Sequence, residues 1–239
     1  MFPELIETDR LRLERHDRAV TPRQFYAAGG AGQSETVAEE TEYVSWEPHP
    51  HPKESHDVRE QFREQWEERE GLVYAVVPKA TEPGGERYAG SAGLGLDWDT
   101  QTATLGIWLR KPYWGRGYSG ERAAALASLA FDRLDLELVA TEVLPANEQS
   151  LRAVEKYVDR LGGHREGRFR NRIVPEGGDG PSDVYRFSVS RTEYEAAVGD
   201  ESLATFHDEL AEPTLAGVAP DDATWVPDED GEDGETTRN

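Results

Sequence analysis

Apolar and polar positions in the first half of the chain follow the periods of strands and helices in turn. Alternation over residues 5–15 predicts a half-buried first strand. Residues 21–70 contain helical stretches, separated at 46–52 by a segment rich in proline and histidine that must form a loop. Further strands are predicted at 72–77, 88–96 and 104–109, with turns at 83–85 and 97–100. Together these strands make an antiparallel meander.

The second half of the chain begins with a helical pattern. Apolar residues recur at the i, i+3, i+4 and i+7 spacing of one helix face over residues 123–134, and a second such stripe at 151–161 ends at Gly162 and Gly163. Strands are predicted at 136–144, 164–174 and 183–191. This order of elements predicts an α/β fold.

Length and composition divide the chain into a domain at residues 1–198 and a C-terminal extension at residues 199–239. The 239 residues fit one core of about 200 residues with an appendage. A short helix is predicted in the extension at 202–210. From about residue 220 Asp, Glu, Gly and Thr dominate, so we expect a largely disordered acidic tail that serves solubility rather than partner binding.

The charge of the chain narrows the classes of partner. There are 48 acidic and 26 basic residues, a net charge of −22, which opposes binding to nucleic acid or anionic lipid. Only four of the basic residues are lysine, a composition that resembles proteins of salt-loving microbes. Because self-repulsion at this charge is relieved by screening, we predict salt-dependent folding. An ordinary acidic bacterial protein is the alternative.

The chain lacks cysteine, which excludes disulfides, thiolate metal sites and a cysteine nucleophile. It has neither an apolar run long enough to span a membrane nor the layout of a signal peptide at its start, so a cytoplasmic protein is expected, as a monomer or a homodimer. His49, His51 and His56 are potential metal ligands, but no nearby cluster completes a site, and no metal is expected.

A glycine-rich turn, Trp114-Gly115-Arg116-Gly117-Tyr118, precedes the first helical stripe. Unpaired N–H groups and the positive end of a helix face a ligand at such a place, which suits phosphate. Gly115 and Gly117 remove Cβ atoms that would block its approach, and Arg116 and Arg122 add positive charge. On these residues alone, a plain tight turn is an equal alternative.

Residues 115–120 also match the G-x-G-x-x-G pattern of dinucleotide-binding proteins, with Asp135 or Glu137 near the expected distance downstream. In that fold the strand runs almost directly into the first glycine, whereas here residues 110–114 intervene. Too little chain follows to complete a parallel sheet. A nicotinamide-dinucleotide site is therefore the weaker interpretation.

Several short motifs occur along the chain in a definite order and spacing. They are Thr8-Asp9-Arg10-Leu11-Arg12-Leu13, Leu105-Gly106-Ile107-Trp108-Leu109, Tyr113 to Tyr118 with Glu121-Arg122-Ala123, Asn147-Glu148-Gln149-Ser150, Val154-Glu155-Lys156 and Arg165-Glu166-Gly167. In this order they resemble the GNAT N-acetyltransferases, and within them the ribosomal-protein alanine N-acetyltransferases. The resemblance covers most of residues 5–195.

The resemblance implies a mixed, mostly antiparallel sheet flanked by helices that splays between the strands at 104–109 and 137–144, with acetyl-CoA in the gap. A backbone N–H near Leu109 would face the acetyl carbonyl, and Asn147 would bind the pantetheine arm. The pyrophosphate would be held by the backbone of Gly115, Arg116, Gly117, Tyr118, Ser119 and Gly120.

The resemblance also implies an enzyme that transfers acetyl to a primary amine without a covalent intermediate, with Ser150 protonating the thiolate and Glu166 as the base. Asn147 is equally suited to cap a helix that has Ser150 at its N3 position. The alternative for Glu166 is a solvated carboxylate on a strand. A non-catalytic acyl-CoA-binding or sensing module is the competing class.

The expected acceptor is a protein N-terminus, with small amines, amino sugars and amino acids as alternatives. Two departures from the family pattern change the expected site. Val154 stands where many relatives carry a tyrosine acid, which rules out a tyrosine role there. The helix also gains about four residues between Lys156 and Gly162, roughly one turn, which bears on the acceptor pocket. The extra turn keeps the buried face but reshapes the pocket.

Overall fold

The computed structural model describes residues 2–174 and 180–217. The strands are β1 (Leu5–Glu7), β2 (Leu11–Arg15), β3 (Gly71–Pro78), β4 (Gly90–Asp97), β5 (Thr102–Leu109), β6 (Leu138–Val143), β7 (His164–Ile173), β8 (Ser182–Ser190) and β9 (Thr205–His207). The helices are α1 (His16–Ala19), α2 (Pro22–Gly29), α3 (Val37–Glu40), α4 (Pro52–Glu68), α5 (Tyr118–Ser128), α6 (Glu148–Arg160) and α7 (Arg191–Val198). A 3-10 turn at Lys111–Tyr113 precedes α5, and a π-helical turn at Leu129–Arg133 extends it.

The strands form one sheet in the order β7-β8-β6-β5-β4-β3-β2-β1-β9. Neighbours are antiparallel, except that β5 and β6 run parallel and pair only from Thr102 with Leu138 to Thr104 with Ala140. Thr141 Oγ1 then donates to the Leu105 carbonyl at 3.2 Å. Beyond this bond β5 and β6 diverge. The predicted fold, a mostly antiparallel sheet that splays between these two strands, is confirmed.

Helices cover both faces of the sheet because alternate residues of its central strands are buried on opposite sides. Tyr74 and Val76 of β3 belong to the core beneath α5 and α6, whereas Ala75 and Val77 belong to a second core with Phe25 of α2. This double burial explains why β3 is an almost continuous apolar run. The alanines of α5 are buried, and their small side chains bring that helix close to the sheet.

Two predicted elements are corrected, and one helix was not predicted. The single strand expected at 5–15 is two strands, because Thr8 turns the chain: the Thr8 N–H donates to the Leu11 carbonyl at 3.0 Å, and the Leu11 N–H donates to Thr8 Oγ1 at 3.0 Å. The short helix expected at 202–210 is wrong, since residues 205–207 pair with β1 as β9. Helix α7 was not predicted, although Ser190 and Glu193 form a capping box that the sequence contains.

None of the helices in the described part of the chain has the length and apolar character needed to cross a bilayer. The acidic tail expected from about residue 220 lies outside the described residues, as do residues 175–179 of the loop before β8.

Candidate active site

The gap between β5 and β6 opens into a cavity of about 940 Å³. The end of β5, the turn before α5, one face of α6, the β1–β2 turn and residues 201–203 all contribute to its walls. Eight of the residues predicted from the sequence line it: Leu109, Gly115, Gly117, Tyr118, Ser119, Gly120, Asn147 and Ser150. The fold thus brings together the predicted phosphate turn and the predicted proton donor.

The turn before α5 presents a row of backbone donors. Within the described residues, the N–H groups of residues 115–119 have no hydrogen-bond partner. The N–H groups of Gly120 and Glu121 both return to the Gly117 carbonyl at 3.1 Å, which closes the first turn of the helix. Adjacent free donors at the positive end of an 11-residue helix fit a pyrophosphate group.

Gly115 and Gly117 are needed for this geometry because both have left-handed φ angles, +73° and +81°. Only glycine adopts such angles without strain. No heavy atom lies within 4 Å of a Cβ built on Gly115, so its outer side is open space. A Cβ on Gly117 would lie 3.4 Å from Arg10 Nη2, so this side of the turn packs against the β1–β2 turn.

Glu121 fixes the phosphate turn to the β1–β2 turn. Its Oε1 accepts from Thr8 Oγ1 at 2.6 Å and from the Arg10 N–H at 2.8 Å. Arg10 Nη1 in turn donates to the Arg116 carbonyl at 2.9 Å. Because the Gly117 N–H shares a peptide plane with that carbonyl and points the opposite way, the bond from Arg10 fixes the direction of this donor.

The main chain of β5 faces the gap at alternate residues. The Leu105 carbonyl is turned toward β6, where it accepts the Thr141 bond, whereas the Arg110 N–H donates to Ala89 on the β4 side at 2.9 Å. Since successive residues of a strand alternate in direction, the polar groups of Leu109 point into the gap with those of Leu105. The Leu109 carbonyl accepts from Trp114 Nε1 at 2.7 Å. The Leu109 N–H faces the gap.

Asn147 and Ser150 lie at the start of α6. Asn147 Oδ1 accepts from the Ser150 N–H at 3.0 Å, so Asn147 caps the helix. This is one of the two roles predicted for it. Both side chains also line the cavity. In the described part of the chain Ser150 Oγ has no hydrogen-bond partner, and the hydroxyl is available to a group in the gap.

Glu166 does not lie with Ser150. It is absent from the residues that line the cavity, and its Oε2 pairs with Arg186 Nε at 3.1 Å. The physical reason is a β-bulge: the register of β7 with β8 shifts between Arg165 and Gly167, and Glu166 is the extra residue. A bulge changes the face on which a side chain lies, which a strand period cannot predict.

Arg116 and Arg122, expected beside the phosphates, both point elsewhere. The Arg116 guanidinium lies over the Tyr113 ring, 5.2 Å from its centroid, and donates to the Pro83 carbonyl. Arg122 is buried, 1% exposed, and its Nε and Nη1 have no hydrogen-bond partner among the described residues. The donors that this turn presents to the cavity are therefore those of its backbone.

Some residues of the cavity were not predicted. Lys156, Tyr157 and Arg160 line it from the later turns of α6, and burial raises the pKa of the Tyr157 hydroxyl. Their spacing could have predicted this, because residues three, four or seven apart share a face of a helix. Tyr157 is seven residues after Ser150, and Arg160 is three after Tyr157 and four after Lys156. Carboxylates from residues 39–42 also line the cavity: Glu39, Glu40 and Glu42.

The three histidines considered as metal ligands have separate roles, two in the proline-rich segment and His56 in α4. His49 Nδ1 shares a hydrogen bond of 2.7 Å with Ser55 Oγ, and burial lowers the pKa of His49. His51 caps α4 by accepting from the Glu54 N–H at 3.3 Å. His56 is exposed, with Nδ1 3.5 Å from Asp57 Oδ1.

Similarity to known proteins agrees with this geometry. A family model described as an acetyltransferase (GNAT) domain matches residues 25–157. The uncharacterised N-acetyltransferase p20 of Bacillus licheniformis is 25% identical over 157 residues, which cover 65% of this chain and 83% of that protein.

Two solved structures share the fold. A GCN5-related N-acetyltransferase from Brucella melitensis superposes with a TM-score of 0.65 at 22% identity, covering 82% of this chain and 83% of that one. A proposed ribosomal-protein-serine acetyltransferase from Vibrio cholerae gives a TM-score of 0.62 at 24% identity, covering 80% of this chain and 99% of that one.

A sheet that splays beside a turn of free backbone donors, together with the family match, is that of an acyl-CoA-dependent acyltransferase. The chain belongs to the GNAT acetyltransferase family. It is an acetyl-CoA-dependent N-acetyltransferase, and the mainly antiparallel sheet rules out the dinucleotide-binding fold that the G-x-G-x-x-G match suggested.

Proposed function

We propose that this enzyme acetylates the N-terminal amine of a peptide or protein. The free N–H groups of residues 115–119, in one cavity with Leu109 and Ser150, are the observation that carries the donor side of the proposal. They hold the pyrophosphate at one end, so that the thioester lies between the end of β5 and the start of α6.

The Leu109 N–H stabilises the oxyanion. It points into the gap from a strand that is hydrogen-bonded to β4 on its other side, so its position is fixed before the substrate arrives. A fixed donor stabilises the charge that develops on the carbonyl oxygen when a neutral amine attacks. Ser150 Oγ then donates its proton to the departing thiolate.

A carboxylate removes the proton from the ammonium group of the acceptor. Glu166 is the base that the family resemblance implies, directly or through water, but its Arg186 pair lies apart from the cavity. Glu42 is the alternative that the geometry supports, since it lines the cavity, whereas Glu39 is paired with Lys111 Nζ at 2.5 Å.

The acceptor end of the cavity supports a peptide amine. Glu40 accepts from the Lys111 N–H at 2.7 Å, which places the carboxylates of residues 39–42 just past Leu109, where they attract an ammonium group. Trp108 lines the same end, and its buried Nε1 has no hydrogen-bond partner among the described residues. A peptide carbonyl next to the amine would accept from this indole.

Calorimetric titration of acetyl-CoA tests the donor site. Binding should be lost in Gly117→Glu, which places a carboxylate in the phosphate turn. Gly32→Glu is the matched control, because Gly32 also has a left-handed φ, +73°, and open space around its Cβ, but does not line the cavity. Equal binding by both variants would refute the site.

An acceptor screen tests the reaction, with release of free thiol as the measurement. N-terminal peptides should be acetylated faster than diamines or amino sugars. Trp108→Phe should slow the peptides about fivefold and leave simple amines unchanged, because one hydrogen bond is worth about 1 kcal/mol. Tight acetyl-CoA binding without turnover of any amine would instead support a sensing module.

The identity of the base is tested by pH profiles. Glu42→Gln and Glu166→Gln are compared under the same conditions. Loss of the rising acid limb of kcat/KM in Glu42→Gln alone would assign the base to Glu42, and loss in Glu166→Gln alone would restore the assignment from the resemblance.

A further inference from the structure

The loop between β3 and β4, residues 79–89, packs against the phosphate turn without lining the cavity. Three side chains in and beside the turn donate to three successive residues of this loop. The bonds run from Tyr118 Oη to Glu82 Oε2 at 2.7 Å, from Arg116 Nη1 to the Pro83 carbonyl, and from Tyr113 Oη to the Gly84 carbonyl at 3.1 Å. The loop is therefore a second support of the turn, separate from the β1–β2 turn.

Tyr118 carries both a contact with this loop and a donor of the phosphate turn. It is the first residue of α5, and its N–H is among the free donors of residues 115–119. Its side chain is 1% exposed and belongs to the main core. Burial and the bond to Glu82 both raise the pKa of the Tyr118 hydroxyl, so this group stays protonated and donates. Because the ring is held by the core and the hydroxyl by Glu82, the backbone of Tyr118 is held with them.

The C-terminal extension holds the same loop at its other end. The Ala216 N–H donates to the Glu86 carbonyl at 2.6 Å, and the Tyr88 N–H donates to the Gly217 carbonyl at 3.2 Å. These are backbone bonds, so they fix the path of the loop whatever its side chains do. The loop thus lies between the extension and the phosphate turn.

Both parts of this connection are anchored. The Thr214 N–H donates at 3.2 Å to each carboxylate oxygen of Glu14, which is 0% exposed, so the extension is fixed to β2. Within the loop the Gly85 N–H donates to the Glu82 carbonyl at 2.9 Å, which closes a tight turn between the two sets of contacts. A displacement of the extension at Ala216 is therefore transmitted to Glu82.

We propose that Glu82 and residues 216–217 position the phosphate turn for the pyrophosphate of the donor. Glu82 is a positioning residue that acts through Tyr118, and residues 216–217 act through the loop on Glu82. The proposal rests on the proposed donor site at residues 115–119. It makes the C-terminal extension part of the unit that binds acetyl-CoA, although the extension lies beyond the family match.

The test compares steady-state kinetics with acetyl-CoA and with acetylpantetheine, which carries the thioester but lacks the pyrophosphate. Glu82→Ala should raise the KM for acetyl-CoA about fivefold at unchanged kcat, as for the loss of one hydrogen bond that supports binding, and leave kcat/KM for acetylpantetheine unchanged. Glu82→Gln should keep most of the wild-type affinity, because an amide oxygen still accepts from Tyr118. Thr81→Ala is the matched control, since Thr81 is exposed on the same loop and its side chain makes no hydrogen bond in the described chain.

Ala216→Pro tests the extension, because proline has no N–H to donate to Glu86. It should raise the KM for acetyl-CoA about threefold and also spare acetylpantetheine. Ala211→Pro is its control, because Ala211 is exposed in the same extension and its N–H makes no backbone bond within residues 2–174 and 180–217. In the double variant Glu82→Ala/Ala216→Pro the increase should be smaller than the product of the single increases, since both act through one contact.

Activity with acetylpantetheine shows that each variant is folded, so a loss confined to acetyl-CoA is a loss at the phosphate turn. A wild-type KM in Glu82→Ala or in Ala216→Pro, equal losses with both donors, or single effects that simply multiply would overturn the proposal. Tighter acetyl-CoA binding by Glu82→Ala and Glu82→Gln alike would also overturn it, because Glu82 would then act by repulsion. Equal kcat/KM of the wild type for the two donors would instead refute the donor site itself.

Discussion

Arg10 and Glu121, 111 residues apart in the sequence, form a two-point ion pair beside the phosphate turn: Glu121 Oε2 accepts from Arg10 Nε at 2.7 Å and lies 2.6 Å from Arg10 Nη2. The Glu121 side chain is 16% exposed. Together with Thr8, the pair joins the first turn of α5 to the β1–β2 turn. A strand motif at the start of the chain thereby supports a ligand site formed a hundred residues later.

Glu121→Ala should therefore weaken acetyl-CoA binding although Glu121 carries the wrong charge to contact phosphate. The change removes the carboxylate that accepts from Thr8 Oγ1, the Arg10 N–H and Arg10 Nε. Arg10, which donates to the Arg116 carbonyl, is then held less firmly. We expect a stability loss of about 2 to 3 kcal/mol, as for a partly buried charged hydrogen bond, and about tenfold weaker binding. Urea unfolding and calorimetry measure the two effects.

Glu148→Ala is the matched control for this change. Glu148 also lines the cavity, but it is exposed, and its one ion pair among residues 2–174 and 180–217 is with Arg152, at 3.3 Å. Its removal should cost less than about 1 kcal/mol. Tighter acetyl-CoA binding after Glu121→Ala would show that Glu121 acts by repelling the donor and not by holding the turn.

His16 should make the fold sensitive to acid. It is fully buried, shares a hydrogen bond of 2.9 Å with the Tyr88 hydroxyl, and burial lowers its pKa from 6.5 to about 3. Between these values the unfolded chain binds a proton that the folded chain does not, so stability falls as the pH drops below 6.5. The slope from this group is at most about 1.4 kcal/mol per pH unit.

The comparison of wild type with His16→Phe isolates this contribution. Phe25 and Phe62 already contact the ring edge-on, so a phenyl group fits the site in kind, although the Tyr88 bond is lost. The wild type should be the more stable at pH 7, and its advantage should shrink or reverse at pH 5 when unfolding free energies are measured by urea. An advantage that is constant with pH would contradict the buried neutral histidine.

The sequence predicts those features of this protein that depend on local pattern. The strands of the meander, the two helical stripes and the phosphate turn all lie close to their predicted positions, because period and glycine spacing are properties of neighbouring residues. Two differences from the predictions depend on contacts between distant parts of the chain. Glu166, which the resemblance implies as the base, lies outside the cavity at a bulge that shifts the register of β7. Strand β9 forms because β1 has a free edge with which a three-residue segment can pair.

Arg122 shows the same limit for a helix. Its place one turn into α5 suggests a phosphate ligand, but the helix packs with that side toward the core, where burial lowers the pKa of the guanidinium. The direction of a helix face follows from the packing of α5 against both the sheet and α6. Neither contact is visible in the spacing of α5 alone.

Arg122→Met should stabilise the ligand-free protein. Burial of a charge with unsatisfied N–H groups is costly, and methionine replaces the stem of the side chain with a flexible apolar group of similar length. We expect a gain of about 1 to 4 kcal/mol in the free energy of unfolding. Arg122→Ala is the control for volume, because it removes the charge but leaves a cavity. A destabilised Arg122→Met would show that the charge is compensated in the folded protein.

The charge of −22 should make folding depend on salt, and α4 offers a local test. Glu64 and Glu68 are exposed like charges one turn apart, and no ion pair joins either to a cation in the described residues, whereas Arg63 pairs with Glu60 and Glu67. Glu64→Lys converts this repulsion into attraction and should add about 0.3 to 0.5 kcal/mol per pair in dilute buffer. In about 2 M KCl the Debye length falls to a few ångströms and the gain should vanish, while the Tm of the wild type rises.

Thermal unfolding of the wild type and Glu64→Lys across a KCl series measures both effects. A wild-type Tm that is already maximal in dilute buffer would identify an ordinary acidic protein without a salt requirement.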